Sequence, residues 1–151
     1  MQPYPHTYVA SARAQHAGTV CVSSPRLPPI DSGAPPEFGG PEGIWSPETL
    51  LCAAIADCFA LTFRAVARAA RFEWRELECR VEGTLERHEG VSQFTRFLTR
   101  ARLEIPADAD AEKARRLLDD AEHGCLIANS LRGERRLDLE IAVTRSAPEA
   151  A

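Results

Sequence analysis

The stretch from Ser46 to Ala70, SPETLLCAAIADCFALTFRAVARAA, constrains the fold of this chain more than any other segment. Its apolar residues recur almost all the way round a helical projection, and only Asp57 interrupts the apolar middle with a charge. A helix that is apolar on every side is typical of a buried position. Ser46 is a preferred N-cap residue and Pro47 suits the first helical position, so we predict a buried central helix over residues 46–71.

Length, charge and hydropathy then narrow the class of protein. The chain has 151 residues, which is typical of one domain, and a net charge of −4. An acidic balance offers no basic surface to nucleic acid or to anionic lipid. No apolar run is as long as the roughly 18 residues that a membrane span needs, and no secretory signal is recognisable at the N-terminus. We therefore predict a cytoplasmic protein without a nucleic-acid or membrane partner.

Alternating and helical patterns predict the remaining elements, which we group into one domain over residues 1–151. The segments are an N-terminal hairpin (1–24), a Pro/Gly-rich irregular arm (25–47), a hairpin (73–105), a second helix with the Cys125 turn (108–131) and a last strand (134–145). Asp108 or Asp110 is expected to cap the second helix, and Gly124 suits its left-handed C′ position. Because hairpins rather than crossovers join the strands, we predict an α+β fold with a largely antiparallel sheet.

The arm at 25–47 is unusual for its length, because long irregular loops inside a compact domain are uncommon. It holds most of the prolines of the chain, and its bulky apolar residues include Phe38, Ile44 and Trp45. These side chains predict an arm that lies against an apolar surface. A flexible linker is the alternative.

Two of the five cysteines stand in suggestive positions. Cys58 lies midway along the predicted buried helix, and Cys125 opens a short helical piece directly after Gly124. The amide groups at a helix start favour negative charge, so they are expected to lower the pKa of the Cys125 thiol. Packing alone is an alternative for any buried cysteine, and we prefer it for the other three, Cys21, Cys52 and Cys79.

The cysteine pattern does not indicate a disulfide framework or a metal site. An odd number of cysteines in a cytoplasmic chain argues against purely structural disulfides. The sequence has no C-x-x-C and no H-x-x-H, and its four histidines are scattered, so we expect no metal. No cofactor is expected either.

Two motifs together resemble the OsmC/Ohr family of thiol-dependent peroxidases. The first runs from Pro47-Glu48-Thr49-Leu50 to Asp57-Cys58-Phe59, with the lead-in FGGPEGIWSPE, and the second is GCLIANSL at 124–131. The resemblance covers nearly the whole chain and implies an intertwined homodimer, in which curved, largely antiparallel sheets enclose the long central helices.

The resemblance also implies an activity and residues that carry it. Cys58 corresponds to the peroxidatic cysteine, which attacks an organic hydroperoxide, and Cys125 to the resolving cysteine, which forms a disulfide with it. A dithiol reductant, of lipoyl type in one branch, restores both thiols. Glu48 corresponds to the active-site glutamate. It precedes Cys58 by ten residues, about 15 Å along one helix, so a shared site requires the Cys58 of the other subunit.

The family also places an arginine beside the peroxidatic cysteine, and this chain departs from that pattern. Glu37 and His16 stand at the two positions where branches of the family carry it, so Arg26 and His16 are the candidates for stabilising the thiolate or the peroxide. Asp57, beside Cys58, is a second departure. The alternative is therefore a redox-responsive or small-molecule-binding dimer without peroxidase activity, and a purely structural homodimer is a third hypothesis.

Overall fold

The computed structural model describes residues 3–144, which fall into two compact units that meet in the chain at Leu50 and Leu51. Both units combine strands with few helices, so the predicted α+β class is confirmed. The elements are β1 (Ser11–Arg13), β2 (Val20–Ser23), β3 (Ile30–Ser32), α1 (Pro47–Ala69), β4 (Glu76–His88), β5 (Val91–Pro106), α2 (Ala111–Gly124), α3 (Leu126–Asn129) and β6 (Glu134–Thr144). The organisation of 1–151 as one domain stays a prediction, and residue 145 of the predicted last strand lies outside the described residues.

The N-terminal unit is a small antiparallel sheet in the order β1-β2-β3. The predicted hairpin is present with shorter strands, in which Arg13 pairs with Cys21. The arm, however, was wrongly expected to be irregular throughout, because it contributes β3 and a single 3-10 turn at Pro36–Phe38. β3 forms because Val22 and Val20 of β2 pair with Ile30 and Ser32, so the strand next to it supplies the hydrogen bonds.

The bulky residues of the arm are less covered than predicted. Ile44 packs over Gly33: a Cβ there would come within 2.5 Å of the terminal Cδ1 of Ile44, so a larger residue would require the Ile44 side chain to shift. Phe38 is 61% exposed and Trp45 is 49% exposed. Within this chain the arm is therefore only partly packed, because about half or more of each aromatic side chain is exposed, and its contact with a larger apolar surface stays a prediction.

Helix α1 begins as predicted from its N-terminal sequence. Ser46 Oγ accepts a hydrogen bond from the Thr49 backbone N–H, and Thr49 Oγ1 accepts one from the Ser46 backbone N–H. This reciprocal cap satisfies amide groups that have no partner within the helix. The helix then runs without a break to Ala69 and buries one face, formed by Ile55, Phe59, Phe63 and Ala67.

The burial of α1 is one-sided, which differs from the predicted helix buried all round. Its 18-residue apolar window has a mean hydropathy of 1.8, and 22% of that window is buried in this chain. By length and composition the helix could also cross a membrane, so the expectation that no run is long enough was wrong. The expectation rested on an uninterrupted apolar run, whereas a mean hydropathy over 18 residues tolerates the charges of Asp57 and Arg64. A single helix of this kind is equally typical of a protein core.

The second sheet has the order β4-β5-β6 and corrects the predicted topology at one place. β4 and β5 form the expected antiparallel hairpin, closed by Glu89 and Gly90 with φ of 50° and 84°. β6 instead pairs parallel to β5. The physical reason is that α2 and α3 carry the chain back to the starting end of β5, which is the crossover that parallel strands require. Three of the four strand pairings remain antiparallel, so the sheets are largely antiparallel as predicted.

The inward face of this sheet packs against α1 and α2. Alternate residues of β5, which include Phe97, Ala101, Leu103 and Ile105, are buried as the sequence predicts. The outward face carries exposed cross-strand ion pairs such as Arg102–Glu140. Exposed pairs of this kind contribute at most about 1 kcal/mol each, so the apolar face provides most of the stability.

Helix α2 is capped by Asp110, whose Oδ1 accepts hydrogen bonds from the backbone N–H groups of Glu112 and Lys113. These bonds are the largest reason why the pKa of Asp110 is lowered. Gly124 corrects a second prediction, because it is the last helical residue and not a left-handed C′ residue. Glycine is needed there for space: a Cβ at Gly124 would lie 3.0 Å from Cγ2 of Thr62 on α1.

Candidate functional site

The two cysteines singled out by the sequence come together in one apolar cluster. Its buried members are Ile55, Phe97, Cys125 and Ala128, and the partly buried residues packed against them are Leu51, Cys58, Val81, Phe94 and Leu131. All five cysteines of the chain are free thiols. The site therefore pairs a partly exposed thiol on α1 with a completely buried thiol between α2 and α3.

Four groups surround the Cys125 thiol. Its Sγ lies 3.9 Å from the backbone oxygen of Ile55, to which it can donate. The Ala128 backbone N–H donates to the sulfur, and the side chain of Cys58 is a further hydrogen-bonding partner. The carboxylate of Glu122 acts on it through its charge. The two thiols thus interact directly, although they come from distant parts of the sequence.

The environment of Cys125 reverses the predicted direction of its pKa. The pKa of Cys125 is raised to about 11, mainly by burial; the Ala128 N–H opposes this rise, and the side chain of Cys58 and the charge of Glu122 add to it. The expected effect of the helix start is therefore present in the Ala128 N–H but is outweighed by desolvation. At neutral pH the buried Cys125 therefore keeps its proton.

Sequence reasoning missed a partly buried polar group beside this thiol. Arg135 Nε lies 3.4 Å from Glu122 Oε1, and the two side chains are only 29% and 13% exposed. Arg135 Nη1 also donates to Asn129 Oδ1 at 2.7 Å, and Asn129 Nδ2 donates to the His123 backbone oxygen at 2.9 Å. A sequence signal was available: Arg135 is a charge at an inward position of β6, in phase with Leu137.

A third thiol is close enough to sense this charge. The pKa of Cys79 is raised to about 12, mainly by burial, and the charges of Cys125 and Glu122 act in the same direction. Cys52 lies elsewhere on α1: burial raises its pKa, and a backbone hydrogen bond with Gly83 lowers it. The prediction that packing explains both cysteines agrees with their partial burial.

The other predicted site residues lie in the N-terminal unit. Glu48 is in the first turn of α1, and its Oε2 is buried without a hydrogen-bond partner among residues 3–144. His16 and Arg26 are both exposed, and Arg26 has a φ of 67° in the turn between β2 and β3. Asp57, in the other unit, is exposed on α1. The roles assigned to Glu48, Arg26 and His16 stay predictions.

The part of the chain that the structure describes holds no group of three or more His, Cys, Asp or Glu side chains able to bind a metal ion. The reactive groups that the structure places at this site are its thiols, with an ion pair close by. The fold and the site define an α+β protein with two interacting cysteines, one at the middle of its longest helix and one at the end of the next.

Comparison with known proteins places this arrangement in a family. The family model of the OsmC-like proteins matches residues 40–140. The chain belongs to the OsmC-like protein family. The resemblance that the two motifs predicted is thus confirmed.

Similar proteins and structures agree with this assignment. The chain is 29% identical to the uncharacterized protein YmaD of Bacillus subtilis over 112 residues, which are 72% of this chain and 75% of YmaD. An OsmC-like protein of unknown function from Vibrio cholerae has a TM-score of 0.82 at 17% identity, over 89% of this chain and 99% of its own. An organic hydroperoxide resistance protein from Legionella pneumophila has a TM-score of 0.72 at 25% identity, over 93% and 100% of the two chains.

Proposed function

We propose that this protein reduces organic hydroperoxides, with Cys58 as the peroxidatic and Cys125 as the resolving cysteine. The observation that carries the proposal is the direct interaction of the two thiols inside one apolar cluster. A disulfide requires Cα atoms within about 7 Å, and two thiols that already pack in one cluster need little movement to form one. The similarity to an organic hydroperoxide resistance protein supports the same reaction class.

The reaction takes place in three balanced steps. The Cys58 thiolate attacks the terminal oxygen of the hydroperoxide, the O–O bond breaks, and the alkoxide takes a proton to leave as an alcohol while Cys58 becomes a sulfenic acid. The Cys125 sulfur then attacks the Cys58 sulfur. The S–O bond breaks, and the hydroxyl group leaves as water with the thiol proton. A dithiol finally reduces the disulfide by two exchange steps and becomes a disulfide itself.

The different burial of the two sulfurs is consistent with a peroxidatic and a resolving role. Cys58 is partly exposed and so can be reached by a substrate, whereas Cys125 is completely buried and keeps its proton. Because the surroundings of Cys58 include Leu51, Val81 and Phe97, we infer a preference for alkyl or aryl hydroperoxides over hydrogen peroxide.

The proposed assembly is a homodimer. Leu61, on the outward face of α1, is 50% exposed, and Phe38 and Trp45 of the arm expose large apolar surfaces. Exposed apolar surface of this extent is typical of a protein interface. In an antiparallel pair of α1 helices, Glu48 of one subunit would approach Cys58 of the other, and a carboxylate with a buried, unpartnered oxygen suits a binding role there. We further propose a lipoyl-type dithiol as reductant, a cytoplasmic location, and no membrane or nucleic-acid partner.

A second candidate function is a redox-responsive or small-molecule-binding dimer without rapid peroxidase activity. The observation in its favour is the negative charge of Glu122 near the thiols. This carboxylate raises the pKa of both Cys125 and Cys79, because a negative charge opposes thiolate formation.

Steady-state turnover separates the two candidates. Cumene hydroperoxide and dihydrolipoamide are the substrates, and the reduced wild-type protein is expected to consume the hydroperoxide catalytically. Cys58→Ser is expected to abolish turnover, whereas Cys21→Ser is the matched control and should leave it unchanged. Turnover that Cys58→Ser does not diminish would overturn the proposal. Stoichiometric oxidation of Cys58 without catalytic turnover would favour the second candidate.

A further inference from the structure

The partly buried Glu122–Arg135 ion pair lies beside the two thiols, and the proposed reaction does not use it. Glu122 is on the last turn of α2, three residues before Cys125, and Arg135 is on β6. Exposed ion pairs are solvated and contribute little, whereas this pair has a carboxylate that is 13% exposed. Burying a charge costs free energy unless the charge is paired, and even a buried pair adds little stability, which points to a functional role of this pair.

The geometry of Arg135 joins the three segments that hold Cys125. Its Nε faces Glu122 on α2, its Nη1 donates to Asn129 at the end of α3, and its own strand β6 is paired with β5. Asn129 in turn donates to the carbonyl oxygen of His123. The turn that presents Cys125 is therefore fixed on both sides by one guanidinium group.

We propose that this pair is an electrostatic control of the resolving cysteine: the Glu122 carboxylate restrains ionisation of Cys125, while Arg135 limits that restraint and anchors α3. The inference deepens the proposed function and rests on it. Glu122 and Arg135 act through Cys125 and are positioning residues, since neither is placed in contact with the reacting oxygen.

The charge state of Cys125 matters for one step only. Before peroxide arrives, a protonated Cys125 does not compete with Cys58 as a nucleophile. After Cys58 is oxidised, Cys125 must give up its proton to form the S–S bond, and that proton leaves in water. A nearby carboxylate with a balancing guanidinium sets how often the Cys125 thiolate forms, and so sets the rate of disulfide formation without changing the rate of the peroxide step.

The titratable and charged groups that bear on Cys125 come from four elements. They are Cys58 on α1, Glu122 and His123 on α2, Cys79 on β4, and Arg135 on β6. Burial raises the pKa of Glu122, while the charges of Arg135 and His123 lower it. The charge of Arg135 thus favours the ionised form of Glu122, which is the form that the proposal requires.

Substitutions of opposite sign test the inference. The readout is the pH titration of the Cys125 Cβ resonance in the reduced, 13C-cysteine-labelled protein, assigned with single Cys→Ser variants. Glu122→Gln removes the negative charge and is expected to move the titration to lower pH. It should also raise the thiolate fraction at pH 9 about three- to tenfold, since one pKa unit is a factor of ten. Arg135→Gln leaves the negative charge of Glu122 without its positive partner, and it is expected to move the titration of Cys125 to higher pH.

A merely structural role predicts a different pattern. Loosened packing would expose Cys125 in both variants, and both titrations would then move to lower pH; that result would overturn the inference. Arg135→Lys keeps the charge and is expected to restore the wild-type titration if Arg135→Gln folds poorly. Glu134→Gln is the matched control, because Glu134 pairs with Arg136 at 2.9 Å on the exposed face of the same strand. It should leave the titration unchanged.

The rate of disulfide formation provides a second readout that separates this inference from the proposed function. After one equivalent of cumene hydroperoxide, Glu122→Gln should form the Cys58–Cys125 disulfide about threefold faster, because the gain in thiolate outweighs its lower nucleophilicity. Loss of Cys58 thiol should proceed at the wild-type rate. If peroxide forms no disulfide in any variant, the proposed function fails, while the titrations still decide the electrostatic role of the pair.

Discussion

Thr62 Oγ1 donates a 2.7 Å hydrogen bond to the carbonyl oxygen of Cys58, one helical turn earlier on α1. The bond fixes the side chain of Thr62 and directs its Cγ2 methyl group to the place where Gly124 passes, 3.0 Å from the position of a Cβ. One threonine therefore holds the helix of Cys58 close to the residue that precedes Cys125. The close approach of α1 and α2 brings the two sulfurs together.

Gly124→Ala tests that approach. Overpacking costs about 1–3 kcal/mol, and the higher helix propensity of alanine returns up to about 1 kcal/mol, so we expect a net loss of about 1 kcal/mol in unfolding free energy. In a Thr62→Ser background the methyl group is absent while the hydroxyl remains, and the same substitution should become neutral or stabilising. Urea denaturation of the four proteins measures this coupling. Equal effects in both backgrounds would contradict the close contact.

Phe59→Ala and Leu61→Ala test the one-sided burial of α1. Phe59 is fully buried, so its truncation is expected to cost about 3–5 kcal/mol of unfolding free energy, measured by chemical denaturation. Leu61 is 50% exposed, so its truncation should lower the unfolding free energy of the chain by less than about 1 kcal/mol. Its effect is expected instead on the proposed dimer, as a weaker association in sedimentation equilibrium. Similar losses of unfolding free energy in both variants would contradict the assignment of the two faces.

The raised pKa of Glu122 predicts a pH-dependent stability. Burial favours the protonated acid in the folded state, so the folded protein binds this proton more tightly than the unfolded chain does. Glu122 contributes fully to the unfolding free energy below its ordinary pKa of 4.5. This contribution is lost as the pH rises through the raised pKa of the folded state. Glu122→Gln should lack this loss. Denaturation between pH 4 and pH 8 measures it, with Glu134→Gln as control, and parallel profiles for wild type and Glu122→Gln would contradict the prediction.

Cys125→Ser and Cys79→Ser distinguish the resolving thiol from its neighbour. Without Cys125, the sulfenic acid of Cys58 should persist after one equivalent of organic hydroperoxide and be trapped by a dimedone-type reagent. With Cys79→Ser the disulfide should form as in the wild type, since Cys79 is held as a thiol with a pKa of about 12. Mass spectrometry of the labelled protein measures both. Trapping in Cys79→Ser to the same extent as in Cys125→Ser would show that Cys79 resolves as well.

The elements that local patterns specify were predictable. Alternation in β4 and β5, the Ser46 cap of α1 and the Asp110 cap of α2 all act within a few residues, and the structure agrees with them. The pairing of β5 with β6 was not predictable in this way, because parallel pairing depends on where α2 carries the chain. The role of Gly124 was misread for the same reason: its constraint comes from Thr62, which is distant in the sequence.

The sequence predicted which cysteines form the candidate site, but it did not predict the charges and the burial that act on them. The motifs around Cys58 and Cys125 located both thiols, and the structure brings them together. The pKa of Cys125 depends on how completely it is buried, which no local pattern reports, so the effect of the helix start was overestimated. Arg135 was missed because its partners Glu122 and Asn129 come from other elements, which the pattern of the last strand does not report.

Mapping of the disulfide by mass spectrometry tests the central claim most directly. The reduced wild-type protein is treated with one equivalent of cumene hydroperoxide, alkylated, digested and analysed for linked peptides. We predict that a Cys58–Cys125 linkage accounts for nearly all of the thiol loss and disappears on treatment with dihydrolipoamide. Thiol loss that leaves Cys58 and Cys125 unlinked, or that falls mainly on Cys21, Cys52 or Cys79, would contradict the account.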